Sequence, residues 1–491
     1  MVAVVLGVAG SGELLAHLAQ TVLPGYVVTT IVVTASVSIL AGAVGTMCAW
    51  LLTRYTFPGR RILEVALVTP LAMPPFIVAY AYSGLLDPFG PVGRLLGDPA
   101  LVYRYFNLGS VGGLIFVLTI SLYPYAYLVV RHSIERLSAR ELDAARSLGT
   151  KRPFFRVVLP LSRPAIAAGM GMIMMDTIGE YGAAEYLGVR TLTTGVFRAW
   201  FAHGSLPTAR LLATALLLLS LLAITTERFS RGRARYATSR GAASRIGLRG
   251  MRGIGAALLA VVPFVLGLLL PVAQLLRWAI TSTASPQWSL LFGATFSSIA
   301  TALVAAVTCI LGGIIFAYVQ RLAPTSPASK ASHASYLGHA VPGAVVAVGI
   351  MAVFGGIAGS AIALLVGYFV RYAGVAARPL ESAFGQVVGD QDAAARSLGS
   401  GPLATLLRID LPLVSATTLS AGILVALDVL KELPLTLVLR PFNFTTLAVR
   451  SYELASDERV PASALPALML VAVAVAITVL LHYLSARKSY S

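Results

Sequence analysis

Long apolar stretches fill most of this chain, and polar residues collect in short gaps between them. A helix needs about 20 apolar residues to cross a bilayer. Eleven such stretches are predicted, near residues 27–52, 63–84, 108–130, 163–183, 208–226, 253–276, 291–320, 337–356, 358–377, 413–432 and 463–485. The second carries Pro70, Pro74 and Pro75, so a kink or break is expected there; proline lacks the amide hydrogen that a helix interior uses. A turn holding Gly355, Gly356 and Gly359 separates the pair 337–356 and 358–377. Ahead of the first stretch, residues 1–9 are apolar. They cover only about half a bilayer and read as the outer stub of a further span.

Composition agrees with a membrane chain. Of 491 residues, 57% are hydrophobic and 12% charged, with mean hydropathy +0.83. A soluble domain carries about 25% charged residues. An ordinary soluble enzyme and a disordered chain are therefore excluded. The net charge of +17, from 37 Lys and Arg against 20 Asp and Glu, would suggest nucleic acid in a soluble protein. Here the basic residues occupy the gaps between apolar stretches, so they read as positive-inside loops, with membrane lipid as the expected partner and no nucleic acid.

The basic gaps fix an expected orientation. One set holds Arg54, Arg60 and Arg61, then Arg131 to Arg156, Arg321 and Lys330, Arg378, Arg396 and Arg408, and finally Arg487 and Lys488. The same set includes eight arginines between Arg228 and Arg252. The opposite gaps, 85–107, 277–290 and 433–462, are poorer in positive charge. The first set is expected to be cytoplasmic, which puts the C-terminus inside and the N-terminus outside a plasma membrane. Residues 227–252 have no apolar period and read as a solvated linker between a first half, 1–226, and a second, 253–491.

The halves repeat. Ala145-Arg146-Ser147-Leu148-Gly149 recurs as Ala395-Arg396-Ser397-Leu398-Gly399, an offset of 250. Leu159-Pro160-Leu161 recurs as Leu411-Pro412-Leu413, Asp176 and Glu180 recur as Asp428 and Glu432, and Thr193-Thr194 and Arg198 recur as Thr445-Thr446 and Arg450, all at offset 252. Both ARSLG segments fall on the basic side, so the repeat is parallel, about an axis along the membrane normal. Ala144, Ala145 and the run Ala393, Ala394, Ala395 favour short helices. Gly149 and Gly399 permit the turns that end them, and Leu-Pro then opens the next, membrane-entering helix.

These two loops, Asp143 to Gly149 followed by Leu159-Pro160, and Ala393 to Gly399 followed by Leu411-Pro412, resemble the EAA–G–I–LP signature of permease subunits of binding-protein-dependent ABC importers. The resemblance implies an all-α integral membrane protein of about eleven spans in two parallel pseudo-symmetric repeats, the type I importer permease arrangement. In that family the loops are coupling helices that dock two copies of an ATP-hydrolysing subunit, and a periplasmic or surface binding protein delivers the substrate. Residues 179–198, with 431–434, 440–444 and 452–459, are most similar to the fused permeases of ferric-iron importers. Two departures stand out: Ala393 replaces the family's acid, and seven residues separate Gly149 from Val157 where nine separate Gly399 from Ile409.

The chain is not expected to power itself. None of Lys151, Lys330, Lys431 and Lys488 follows a glycine, so the Gly-Lys-[Ser/Thr] of a phosphate loop is absent. Cys48 and Cys309 lie in apolar stretches, and the six histidines make no HxxxH pair. No catalytic residue, metal site or cofactor is expected. The intramembrane charges Asp176, Glu180, Asp428, Lys431 and Glu432 are costly in lipid and should face protein or water. They either line a translocation path or form an ion-pair network between helices, with Lys431 partnering Asp428 at i,i+3. Tyr181 and Tyr186 are hard-oxygen groups suited to ferric iron, though such tyrosines more often serve as interface anchors. Ferric iron is the leading expected substrate. Thiamine, a polyamine or an anion is the alternative within the class, and a proton-coupled secondary transporter is the alternative outside it.

Overall fold

A computed structural model describes residues 16–136, 154–231, 245–282, 287–385 and 394–488, except residues 19, 106, 324, 328, 330–334, 336, 337, 340, 358 and 396. Helices make up nearly all of the regular structure. In lipid a backbone has no water to bond, so each segment must satisfy its own N–H and C=O groups. Among the described residues eight helices are long and apolar enough to cross a membrane, and the count rises to ten if each of two bent pairs is one span. Eleven spans are thus not reached among the described residues. The shortfall lies at 337–356, where the helix is only Gly343–Val353, 11 residues. Pro342 precedes it, and Phe354 ends it ahead of the turn at Gly355–Ile357. At 1.5 Å per residue it covers about half a bilayer.

Contacts divide the chain into two compact units. One holds residues up to 285 together with 451–471, and the other holds 286–450 and 472 onward. The units do not follow the sequence halves that meet at 227–252. The first span of the second half, Gly250–Thr281, falls with the first half.

In the first unit the helices include α1 (Leu23–Arg54), α2 (Arg60–Ala66), α3 (Pro75–Leu85), α4 (Val111–Arg136), α5 (Arg163–Gly179), α6 (Gly182–Tyr186), α7 (Leu192–Phe197), α8 (Leu206–Arg231), α9 (Gly250–Phe264) and α10 (Leu270–Thr281). α5 packs against α1, α4 and α8, and α1 against α4. Small residues allow this closeness. A Cβ on Gly45 would stand 2.5 Å from the Tyr123 carbonyl oxygen and 2.7 Å from the Tyr127 nitrogen, and one on Gly169 would stand 2.8 Å from Ala126 Cα.

The proline-rich second stretch is broken as expected. α2 and α3 meet at a 95° bend beside Pro74, with Ala72 and Met73 buried. The π turn Val265–Leu269 between α9 and α10 packs on this break. The Tyr82 hydroxyl donates to the Leu266 carbonyl at 2.8 Å, and Gly267 lies against Pro70 and the Ile120 carbonyl. At the other end of α9, a two-residue strand β1 (Tyr55–Thr56) pairs in parallel with β2 (Ile246–Gly247).

In the second unit, α11 (Trp288–Leu322), α13 (Ala361–Phe384) and α14 (Leu411–Leu430) pack on one another, while α12 (Gly343–Val353) and α13 contact α15 (Pro434–Leu439). Ala317, Leu380, Phe384, Leu406 and Val414 form a core there. Two further helices cross the boundary between units: α16 (Leu447–Ser456) and α17 (Ala464–Lys488).

Each unit repeats the other's internal geometry. Ser110 caps α4 by accepting from the Gly113 N–H at 3.1 Å, and Ser360 caps α13 by accepting from the Ala363 N–H at 3.1 Å. Gly45 sits against the Tyr127 nitrogen on α4 as Gly313 sits against the Ala377 nitrogen on α13. Ser110 to Ser360 and Tyr127 to Ala377 hold the offset of 250 that the ARSLG segments show, whereas Gly45 to Gly313 is offset by 268.

Candidate functional site

Of the expected coupling residues, Asp143, Ala144, Ala145, Gly149 and Ala393 lie outside the described residues. The second loop is described from Ala394. Ala394 and Ala395 begin a short helical turn that closes at Gly399, whose φ is +79°. The Ser400 N–H donates to the Ala395 carbonyl at 2.9 Å, so this left-handed residue satisfies a carbonyl that the helix end would leave open. A Cβ on Gly399 would meet no atom within 4 Å, so backbone conformation alone asks for glycine. Leu398 projects beside it, 88% exposed.

Past each loop the chain passes into the membrane helix by a π turn, Phe154–Val158 ahead of Leu159-Pro160 and Leu406–Asp410 ahead of Leu411-Pro412. Beyond these turns the halves differ. In the first half Phe154–Leu161 bends 65° into α5, whereas Pro402–Leu430 is one continuous run. Pro164 accounts for the bend; Ala416 occupies the equivalent position in α14. The π turn of the second half is also tied by a buried ion pair, Arg321 Nη1 to Asp410 Oδ1 at 3.1 Å, where the first half has the apolar Val158.

The intramembrane carboxylates divide by role. Glu180 accepts from the Ala183 N–H at 2.9 Å and Glu432 from the Leu435 N–H at 3.1 Å. Each therefore closes the first turn of the following short helix, α6 or α15, where a negative group also meets the helix dipole. Glu432 is buried and further engaged: the Tyr372 hydroxyl donates to it, and Arg371 Nε lies 3.6 Å away. Glu180 is half-buried, with Ser121 and Leu122 at the positions of Arg371 and Tyr372. Lys431 Nζ pairs with Asp428 Oδ1 at 3.2 Å across i,i+3. Asp176 is half-buried and has no ion-pair partner among the described residues. Sequence reasoning missed Arg371, although an arginine inside the apolar stretch 358–377 was signal enough.

Around Glu180 the first unit gathers aromatic rings. Tyr181 stacks on Phe197 with centroids 3.8 Å apart, and Tyr452 lies 5.8 Å from Tyr181 and 5.8 Å from Phe76. The Tyr80 hydroxyl meets Ser451 Oγ at 2.6 Å, and its ring lies 5.9 Å from Tyr186. Arg198 pairs with Glu185 at 3.3 Å. Tyr181 and Tyr186 thus sit inside one packed cluster. None of these groups forms a cluster of three His, Cys, Asp or Glu side chains able to hold a metal, among the described residues.

The structure corrects the pairing of the repeats beyond Glu180. Thr191 caps α7 by accepting from the Thr194 N–H, and Thr446 accepts from the Val449 N–H at the start of α16. The next residue's N–H then donates to a hydroxyl on the unit's first long helix: Leu192 to Thr30 at 2.9 Å, Leu447 to Ser298 at 2.7 Å. Thr191 therefore corresponds to Thr446, an offset of 255, and not Thr194. Three residues more fill the connection after Glu432. Arg198 and Arg450 are consequently not equivalent, and Arg450 reaches Gln287 at 3.3 Å.

Comparison with known proteins bears on this arrangement. Residues 41–233 match the family described as binding-protein-dependent transport system inner membrane component. The chain is 27% identical over 456 residues to the Fe(3+)-transport system permease protein FbpB 2 of Haemophilus influenzae, which covers 90% of this chain and 86% of that protein. It is 32% identical over 152 residues to the sulfate transport system permease protein CysT of Escherichia coli, 30% of this chain and 53% of that protein. It is also 32% identical over 144 residues to the molybdenum transport system permease protein ModB of Escherichia coli, 28% of this chain and 60% of that protein.

Proposed function

With residues 41–233 belonging to the binding-protein-dependent transport inner membrane component family, we propose that this chain is the fused permease of an ATP-driven ferric-iron importer. A binding protein delivers the substrate at the outer face. Two copies of an ATPase subunit dock on the loops at 143–149 and 393–399. Their closure pushes both loops, and the helices α5 and α14 carry the movement to the carboxylates Glu180 and Glu432 at their far ends. The basic linker and the C-terminus lie in the cytoplasm and the N-terminus outside. One observation supports iron over the alternatives: the likeness to the Fe(3+) permease runs through 90% of the chain, against 35% or less for the sulfate and molybdenum permeases.

The carboxylates then have unequal tasks. Glu432, buried against Arg371 and Tyr372, holds the helix break in place. Glu180 and Asp176 are half-buried, and with the nearby tyrosine hydroxyls they offer hard oxygen donors to a passing cation. Oxyanion import is the second reading, favoured by the sulfate and molybdenum matches. Proteoliposomes holding the chain, the ATPase subunit and the binding protein distinguish the two. ATP-dependent uptake of radiolabelled ferric iron, with none of sulfate or molybdate, is the expected result; the reverse pattern overturns the iron reading.

A further inference from the structure

At the start of α2 the first unit forms an open pocket of about 450 Å³ lined by Thr56, Phe57, Gly59, Arg60, Arg61, Ile62 and Arg245. Gly59, at φ +77°, turns the chain sharply out of β1 and sets Arg60 and Arg61 side by side. The β1–β2 ladder brings Arg245, from the end of the linker, onto the same pocket. Leu248 extends that ladder with an N–H bond to the Thr56 carbonyl at 2.9 Å. Arg60 is committed, bonding Glu64 and the Leu52 carbonyl. Arg61 and Arg245 are exposed and have no ion-pair partner among the described residues. Arg245 stands near enough to Arg60 for their charges to repel.

Holding like charges together without a counter-ion is unfavourable, and guanidinium groups match phosphate oxygens in geometry and charge. The surroundings name the source of the phosphate. Ile62 is 75% exposed beside the pocket, and Met251, Ile254 and Leu258 form an exposed apolar stripe at i, i+3, i+7 along α9. The start of α9 lies on the same turn, since a Cβ on Gly253 would stand 3.6 Å from Pro58 Cδ. A dissolved anion has no use for such a stripe, whereas an acyl chain does. We propose that this pocket binds the phosphate headgroup of an anionic phospholipid, whose acyl chain lies along the α9 stripe and which fastens the end of the linker to the membrane face.

Native mass spectrometry of the full chain released from nanodiscs tests this, with phosphatidylglycerol, phosphatidylcholine or inorganic phosphate as the probe. Phosphatidylglycerol is expected to stay bound, and phosphatidylcholine is not. Each arginine near a membrane surface strengthens anionic-lipid binding about five-fold. The double variant Arg61→Gln, Arg245→Gln should therefore weaken retention about thirty-fold. Met251→Glu, which leaves the arginines in place and sets a like charge on the stripe, should also lower it. A control pair, Arg94→Gln with Arg104→Gln, should retain the lipid. Full retention in the double variant, equal loss in the control, or displacement of the lipid by inorganic phosphate alone would each overturn the proposal.

Discussion

Arg371 Nε stands 3.6 Å from the Glu432 carboxylate, and both side chains are largely shielded from solvent, 12% and 6% exposed. Removing one member of such a pair leaves an uncompensated charge and costs about 3–5 kcal/mol. Arg371→Met is expected to lower the thermal unfolding midpoint of the detergent-purified chain sharply. Pairing it with Glu432→Gln should recover a good part of that loss. A double variant no more stable than Arg371→Met would show that the two groups do not balance each other.

Glu180 occupies the matching position without an arginine in the matching place. Glu180→Gln should lower stability less than Glu432→Gln does. Its effect is expected in transport, with assembly and ATP hydrolysis retained while uptake falls. Reconstituted vesicles measure both quantities on one preparation, and wild-type uptake by this variant would remove Glu180 from the path.

Gly45 and Gly313 hold equivalent helix crossings at different closeness. A new Cβ on Gly45 falls 2.5 Å from a carbonyl oxygen of α4, which cannot move without moving the helix, whereas at Gly313 the nearest atom is 3.1 Å away. Overpacking costs about 1–3 kcal/mol. Gly45→Ala should therefore unfold at a clearly lower temperature than Gly313→Ala, as differential scanning fluorimetry would register.

Gly399 tests coupling. Open space surrounds it, so Gly399→Val strains only the left-handed backbone, by about 1–2 kcal/mol. That local cost should leave the chain inserted and folded, yet distort the docking turn. Uptake should fall further than ATP hydrolysis. Gly399→Asn, which tolerates positive φ, should restore much of the coupling. If both substitutions behave like wild type, the turn has no part in force transmission.

Orientation can be read without first removing the natural thiols, because Cys48 and Cys309 are fully buried. A cysteine at Phe442, which is 93% exposed, should react with an impermeant maleimide on intact cells. One at Arg249 should react only after permeabilisation. Labelling of Arg249→Cys from outside would invert the assignment.

Much of the helical layout is legible in the sequence because hydropathy and proline act locally. The break at Pro74 and the left-handed turn at Gly399 both follow from one residue's backbone chemistry. Arg371 was harder to see, since its meaning depends on Glu432, 61 positions away. The equivalence of Thr191 with Thr446 was hidden for another reason. Two Thr-Thr pairs align at offset 252, but capping depends on which hydroxyl reaches an unbonded N–H. The compact units were not legible at all, because the company a helix keeps is decided by shape, not by its order in the chain.

The inclusion of Gly250–Thr281 in the first unit has a consequence for how such a chain could be divided. Severed at 232–244, the carboxyl-terminal piece would have to lend its first helix to the other piece, an exchange of arms between subunits. That exchange would be bimolecular and sensitive to concentration. Keeping both pieces on one polypeptide makes the same association intramolecular, at an effective concentration set by the linker. Co-expressed fragments should therefore dissociate on dilution where the intact chain does not, and a cut near residue 285, which leaves this arm with its hosts and only residues 451–471 to be exchanged, should lessen that sensitivity.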